Sequence, residues 1–493
     1  MEGSGTRAAA AGEDRLSALP DCLLHTILSR ITSQQAVQTC VLSRRWRHLW
    51  RGVPCIDLDD SEYRSTGDLP RRYREETAWD RFEEFADNLL IHRGAGAGAS
   101  PLELDTFRLC VADAYLMRTN YLRWLRRGIK LSPAALHVRH RSGRCRFDLY
   151  SLSPGCRRLT RLRLDNVTLA KELTEQLGAL FPVLEDLDLR DCQYYCSSWM
   201  RFQIASGTVK NLAIDNCRHD SSDGIAVAIV APRLASLRLT VPLYYSDVHH
   251  TYTSFTAYTV QGDGGAAAPP PSLAAASIRV VDTGRYLEKW PQLEYNVMDP
   301  TFARNMAFLE SLPKLLGSAS GASRLELSGL RSAVVEKKGY VVLAERFVSV
   351  PILQAILDQD EQHQLPVFGN LRRLVLGECD LGDDLQALWR ILEHTPALEN
   401  LYLRHCKLPD YRATKRARNW LGAVASNLKL VEIEYQDDPR LAAMPEEYKE
   451  ERARRFYEVL WDISRELRTT VKAIPSDHQQ TSFCVTFNQH VQL

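Results

Sequence analysis

Twelve cysteines and thirteen histidines are the residues of this chain best equipped for metal or nucleophilic chemistry. Cys192 and Cys196 stand four apart, a spacing that suits two zinc ligands. Zinc would need two further ligands beside them, and Cys192 is accounted for by a repeat pattern described below. His249-His250 falls in a stretch that reads as a loop, where a solvated pair is expected rather than a ligand pair. The run Gly94-Ala95-Gly96-Ala97-Gly98 has the composition of a phosphate loop. It follows a helical pattern, not a strand, so it reads as a flexible connection. No P-loop, G-x-S-x-G elbow or H-E-x-x-H motif is present. Lys415-Arg416-Ala417-Arg418 and Arg44-Arg45 read as solvated helix faces, and no groove-reading element accompanies them. No catalytic residue, metal site or cofactor is expected.

The wider composition agrees. Formal net charge is +1, so no global field draws the chain to nucleic acid or an anionic surface. No run of eighteen apolar residues predicts a spanning helix. Residues 1–14 lack the apolar core of a signal peptide and read as a disordered tail. Cysteines scattered through a long chain with no secretory signal point to a reducing compartment, cytosol or nucleus, with the thiols free.

The elements that would hold any site show one dominant period. The pattern L-x-x-L-x-L recurs at Leu159/Leu162/Leu164, Leu184/Leu187/Leu189, Val209/Leu212/Ile214 and Leu234/Leu237/Leu239, each start 25 residues after the last. A second run has Leu371/Leu374/Leu376, Leu398/Leu401/Leu403 and Leu428/Val431/Ile433, with weaker members at Leu104/Phe107/Leu109 and Leu325/Leu327. Cys192, Cys217, Cys379 and Cys406 each sit eight positions after a repeat start, where this repeat type carries Asn or Cys. Pro182, Pro232 and Pro396 each precede a start by two positions, shaping the approach without costing a ladder donor. These features predict a leucine-rich-repeat solenoid, a curved parallel sheet with helical connections, over residues 101–438. Leu173, Leu177 and Leu180 share one face of a connecting helix, and Leu385, Leu388 and Leu392 share another. Residues 244–271 read as a loop insertion, 285–320 fit the repeat poorly, and 439–493 read as a C-terminal helix and tail.

Ahead of the repeats, residues 15–55 carry three short helical patterns, joined by a helical linker, 56–100. Leu23, Leu24, Ile27, Leu28 and Ile31 mark the first pattern, with Pro20 and Asp21 suited to its first turn. Ala36, Val37, Cys40 and Val41 mark the second, with Thr32 or Ser33 as cap. Trp46, Leu49 and Trp50 mark the third. So small a module cannot bury this many large apolar groups, which points either to a partner surface or to a cap on the solenoid.

The run Leu19-Pro20-Asp21 through Val41-Leu42-Ser43-Arg44-Arg45-Trp46-Arg47-His48-Leu49-Trp50 resembles the F-box of plant F-box/leucine-rich-repeat proteins. The repeats that follow are what that family carries. The resemblance implies a substrate-recognition subunit of an SKP-cullin-F-box ubiquitin ligase, itself non-catalytic. Its F-box would bind an SKP-type adaptor, and through it cullin, while the repeats bind a target protein. Leu19, Pro20, Leu24, Ile27, Leu28, Val41, Leu42 and Trp46 would then face the adaptor or support the surface that does. Residues 440–493 depart from the C-terminal domain of many relatives. A ligand-sensing receptor and a ligase-independent scaffold stand as alternatives, the former calling for an apolar pocket on the concave face. For the target, the outward positions Arg373, Asn400, Tyr402 and Arg404 are the candidate anchors, because Tyr and Arg dominate hot spots. Outward Arg161, Arg163 and Asp165 are expected to pair with Asp186, Asp188 and Arg190 one repeat on.

Overall fold

The computed structural model describes residues 16–485, apart from 65–70, 95–102, 112–119, 142–145, 148–155, 196–201, 220–224, 247–251, 263–268, 283–310, 337–346, 354–364, 382–384, 408–426, 436–453, 455–459, 466–468, 476–482 and positions 17, 255, 352 and 462. The chain divides into two compact units: residues 1–145 with 149–165, and residues 146–148 with 166–493.

The first unit opens with helix α1 (Asp21–Leu28) and helix α2 (Ser33–Gln38). Thr32 caps α2 through a capping box in which its hydroxyl accepts from the Gln35 amide and the Gln35 side chain accepts from the Thr32 amide. The end of the second helical pattern folds as a 3-10 turn at Thr39–Val41, and the third folds as one at Trp46–Gly52. Leu24, Leu28, Ala36, Trp46, Leu49 and Val53 close a small core among these elements. The residues assigned to a linker at 56–100 do more than connect. Strand β1 (Cys55–Asp59) begins a parallel ladder with β2 (Thr106–Val111), β3 (Ala135–His140) and β4 (Arg161–Asp165). Helix α3 (Arg71–Gly94) packs on α4 (Asn120–Lys130) through Trp79, Phe82 and Trp124. Asp87 accepts from the Trp124 indole and from Arg123 and Arg127.

In the second unit the ladder runs β5 (Asp186–Arg190), β6 (Asn211–Asp215), β7 (Ser236–Ser246), β8 (Ala275–Asp282), β9 (Arg324–Ser328), β10 (Arg373–Gly377), β11 (Asn400–Arg404), β12 (Leu430–Tyr435) and β13 (Thr470–Pro475). All these neighbours are parallel, and β14 (Phe483–Val485) closes the row antiparallel. The 25-residue period becomes register: Asp186, Asn211 and Ser236 are direct partners. Leucines at alternate positions bury and the residues between them face out, the period-2 consequence of the pleat.

The turns after β4, β5, β6, β9, β10 and β11 share a backbone device. Asn166, Asp191, Asn216, Glu378 and His405 have positive φ near 50°, and Gly329 has φ +79°. Each left-handed residue turns its amide to the carbonyl of the following strand, as Asp191 does to Asp215 and Glu378 to Arg404. The cysteine that follows seals the turn from inside. Cys192, Cys217, Cys379 and Cys406 each donate to the carbonyl two residues back. Cys217, Cys379 and Cys406 also donate to Leu189, Leu327 and Leu376 on the preceding strand.

The return segments are only partly helical. Helices occupy Lys171–Glu175, Leu177–Leu180, residues 311–318 and α5 (Gln386–Glu393). Between residues 193 and 261 the returns are strands instead. Phe202–Ala205, Ile225–Val230 and Thr256–Gln261 form a three-stranded parallel sheet. The segment read as a loop insertion therefore carries an ordered strand at 256–261. Its buried Thr256, Tyr258 and Val260 alternate with period two, a strand pattern.

Candidate functional site

Helix α1 carries two apolar stripes, and the structure sends them in opposite directions. Leu24 and Leu28, 0% and 2% exposed, point into the helical core, whereas Leu23 and Ile27 point to solvent. Each stripe is an i, i+4 pair, one residue out of phase with the other. Val41 and Leu42, beyond the first 3-10 turn, are 83% and 64% exposed. Six of the ten strongly exposed large apolar side chains among the described residues lie within residues 16–42. Isolated exposed leucines are ordinary, but such a concentration on one small module is not.

The eight adaptor-side candidates thus separate into two kinds. Ile27, Val41, Leu42 and Pro20 present themselves to solvent, Leu19 is half-buried against the core, and Leu24, Leu28 and Trp46 build that core. Neither Trp46 nor Trp50 contributes a fully exposed ring to the surface. Trp46 is 6% exposed and Trp50 packs against the same core, because these two rings are the largest apolar bodies available to so small a module. Leu16, Leu23 and Ile31 are exposed apolar residues absent from the candidate set. The second i, i+4 stripe on α1 was the signal for Leu23.

This surface is fastened to the ladder of its own unit. The Asp57 amide on β1 donates to the Ser33 hydroxyl at 2.8 Å, and the Thr32 hydroxyl donates to Glu62 at 3.1 Å. Arg93 of α3 donates to the carbonyls of Val53 and Trp50. Burial lowers the Arg93 pKa to about 10, so the guanidinium stays charged at neutral pH. Arg45 ties the start of α1 by donating to Asp21 and to the Leu19 carbonyl.

The target-side candidates Arg373, Asn400, Tyr402 and Arg404 are neighbours on β10 and β11. The Arg373 guanidinium lies 4.4 Å from the Tyr402 ring centroid, a cation–π contact. Asn400 is the register partner of Arg373, and Arg404 reaches Glu434 at 3.6 Å. Arg373 and Arg404 border a groove of about 570 Å³ on the outward face of the second unit's ladder.

Arg163 and Arg190 engage acids on their own strands, and Asp186 accepts from Asn211 on β6. Arg163 donates to Asp165 and Arg190 donates to Asp188, each two residues along. His137 on β3 also contacts Asp165 at 2.8 Å. Burial would raise the Asp165 pKa, but hydrogen bonds from His137 and Arg163, with their charges, hold it below the ordinary carboxylate value. For Arg163 and Arg190 the carboxylate two residues away lies on the same face of the same strand, within reach of the guanidinium.

Of the described thiols, Cys406 is held below its ordinary pKa by a hydrogen bond with Cys379, and others are pushed up. Burial, with Cys192 beside it, pushes Cys217 up, and a hydrogen bond to Cys406, with burial, pushes Cys379 up. A thiol held protonated neither attacks nor ligates readily. The described cysteines are all unbridged, and no three His, Cys, Asp or Glu side chains among the described residues gather as a metal site needs. No helix among the described residues is long and apolar enough to cross a membrane. Cys196, His249-His250 and the basic run at 415–418 lie outside the described residues.

Comparison with known proteins places these features. An F-box domain model matches residues 16–57. The chain is 33% identical over 459 residues to the MEIOTIC F-BOX protein MOF of Oryza sativa subsp. japonica, covering 86% of this chain and 80% of that protein. It is 27% identical over 406 residues to an F-box/LRR-repeat protein of Arabidopsis thaliana, covering 80% and 79%. An F-box/FBD/LRR-repeat protein of the same plant is 26% identical over 331 residues, covering 66% and 68%.

Proposed function

The chain belongs to the plant F-box/leucine-rich-repeat family, and on that footing we propose that it is the substrate-recognition subunit of an SKP-cullin-F-box ubiquitin ligase. The observation that carries the reading is the solvent-facing apolar set Leu23, Ile27, Val41 and Leu42 on a module whose core is already complete without them. Such a surface is stabilised by burial against a partner, and an F-box generally finds that partner in an SKP-type adaptor. The chain supplies no chemistry of its own in this reading. It holds a target near a ubiquitin-charged partner, so its contribution is proximity and orientation. The hydrogen bonds from β1 and α3 into the helical module support that role by fixing the adaptor surface to the first unit's ladder. Action is placed in the cytosol or nucleus.

A direct protein target is favoured over a small apolar ligand. The groove on the second unit's ladder is ringed by Asp186, Asp188, Arg238, Arg324, Glu326 and Arg373. Ligand pockets of the receptor type are lined mainly by apolar and aromatic side chains. The test is capture of the adaptor and cullin by the full chain and by Val41→Asp/Leu42→Asp. The wild type should retain both and support ubiquitin transfer to a trapped target, and the double variant should retain neither. Equal capture by the two would refute the assignment.

A further inference from the structure

On the outward face of the second unit's ladder, one rung runs Asp186, Asn211, Ser236, Ala275, Arg324, Arg373, Asn400 in direct register. Arg324 and Arg373 are side by side on adjacent strands, an arrangement of like charges that destabilises a sheet. Among the described residues no carboxylate lies within ion-pair distance of either, nor of Arg238 on β7. Other outward arginines nearby are paired, Arg279 with Glu378 and Arg404 with Glu434. All three unpaired arginines line the 570 Å³ groove, whose floor between them is Ser236, Ala275 and Ser277. Three carboxylates line it as well: Glu326 near the arginines, and Asp186 and Asp188 at the β5 end.

We propose that this groove holds a phosphorylated serine or threonine segment of the target protein, the phosphate seated between Arg324 and Arg373. This rests on the target-recognition reading above and names its chemistry. Toward the β9–β10 end Arg238, Arg324 and Arg373 stand against Glu326, a local excess of positive charge, while Asp186 and Asp188 lie at the β5 end and Asp188 is paired with Arg190. A phosphate carries nearly two negative charges at neutral pH and accepts from two guanidinium forks at once. A single Asp or Glu side chain carries half of that charge. The small floor lets a peptide backbone lie close to the strands. At the opposite end Asp186, which accepts from Asn211, and Asp188, which pairs with Arg190, form an acidic edge that a basic residue of the same segment can share. Four strand spacings separate β5 from β9, about 19 Å at roughly 4.8 Å each. An extended chain covers that in about six residues.

Fluorescence anisotropy with the full chain co-purified with its adaptor tests this. The probes are labelled twelve-residue Gly/Ala peptides with one phosphoserine and one lysine two, four, six or eight positions to either side. Unphosphorylated and Glu-for-phosphoserine versions serve as controls. Phosphorylated peptides should bind at least tenfold tighter than unphosphorylated ones, with Glu between and the six-residue spacing best. Arg324→Gln/Arg373→Gln should erase the preference while adaptor capture and thermal midpoint stay unchanged. Glu326→Gln should tighten phosphopeptide binding, an independent check should the double variant fold poorly. Equal binding of phosphorylated and unphosphorylated peptides at every spacing, or an unchanged preference in the folded double variant, overturns the inference. Adaptor capture by the wild type reports separately. If it persists without a phosphate preference, only this inference falls, and if it is absent, the ligase reading falls.

Discussion

Val41→Ala and Val41→Asp, set against Leu28→Ala, separate contact with the adaptor from support of the module. Val41 is 83% exposed in the free chain, so nearly all its side-chain surface is available for burial by a partner. Truncation to Ala removes about two methylene equivalents, worth roughly 1.6 kcal/mol at full burial. Scaled by that exposure the loss is about 1.3 kcal/mol, close to tenfold in Kd. Val41→Asp adds a carboxylate that the interface must desolvate without a partner, and should weaken binding by more than a hundredfold, roughly 3 kcal/mol. Neither variant should move the thermal midpoint, because an exposed substitution away from the core changes stability by about 0.5 kcal/mol or less. Leu28 is 2% exposed within the helical core, and its truncation should cost about 2–5 kcal/mol of module stability. Leu28→Ala should therefore lower the melting midpoint and lose adaptor binding only as the module unfolds. Calorimetric titration of a purified SKP-type adaptor, paired with thermal melts, reads both quantities. Undiminished binding by Val41→Asp, or a melting loss in it matching that of Leu28→Ala, would refute the division of the helical module into core and contact faces.

Other consequences can be measured directly. Burial holds the His140 pKa at about 4, below its ordinary 6.5, so the unfolded chain takes up a proton that the folded chain refuses. Stability is full above pH 6.5 and falls as pH drops toward 4, by about 2 kcal/mol at pH 5. Urea unfolding of wild type and His140→Leu between pH 7 and 5 should show a shallower decline in the variant, and parallel declines would contradict the assignment. Gly329→Ala should destabilise the second unit by about 2 kcal/mol, since φ is +79° and an added Cβ would meet the Val280 carbonyl; an unchanged melt would count against the turn geometry. Thiol titration in denaturant without reductant should find all twelve cysteines free, and two or more bridges would exclude the reducing-compartment reading. Tyr402→Ala and Arg404→Ala should each cut target capture more than tenfold while sparing adaptor binding; normal capture by both would move the recognition surface off β11.

The repeat framework was legible from the sequence because it rests on period. Apolar residues at fixed offsets, 25 residues apart, have one parallel in-register solution, and the ladder from β5 to β7 adopts it. The cysteines eight positions into each repeat were equally readable, since a small donor is wanted where the turn leaves carbonyls to satisfy. Direction was not readable. Leu23 and Leu24 are chemically identical neighbours on α1, and only the closure of the core around Leu24, Leu28 and Trp46 decides that Leu23 faces out. The same holds for the charges at 161–190. For Arg163 and Arg190 the spacing allowed partners on the next strand or two residues along, and both engage the carboxylate on the same face of their own strand. The strand at 256–261 was hidden behind low-complexity sequence, although Thr256, Tyr258 and Val260 alternate as a strand does. The side-by-side arginines at 324 and 373 are 49 residues apart in sequence with a break in the repeat between them. Pairing of β9 with β10 made them neighbours: burying Leu325 and Leu327 beside Leu374 and Leu376 fixes the register, but the sequence does not say that these two strands are adjacent in the ladder.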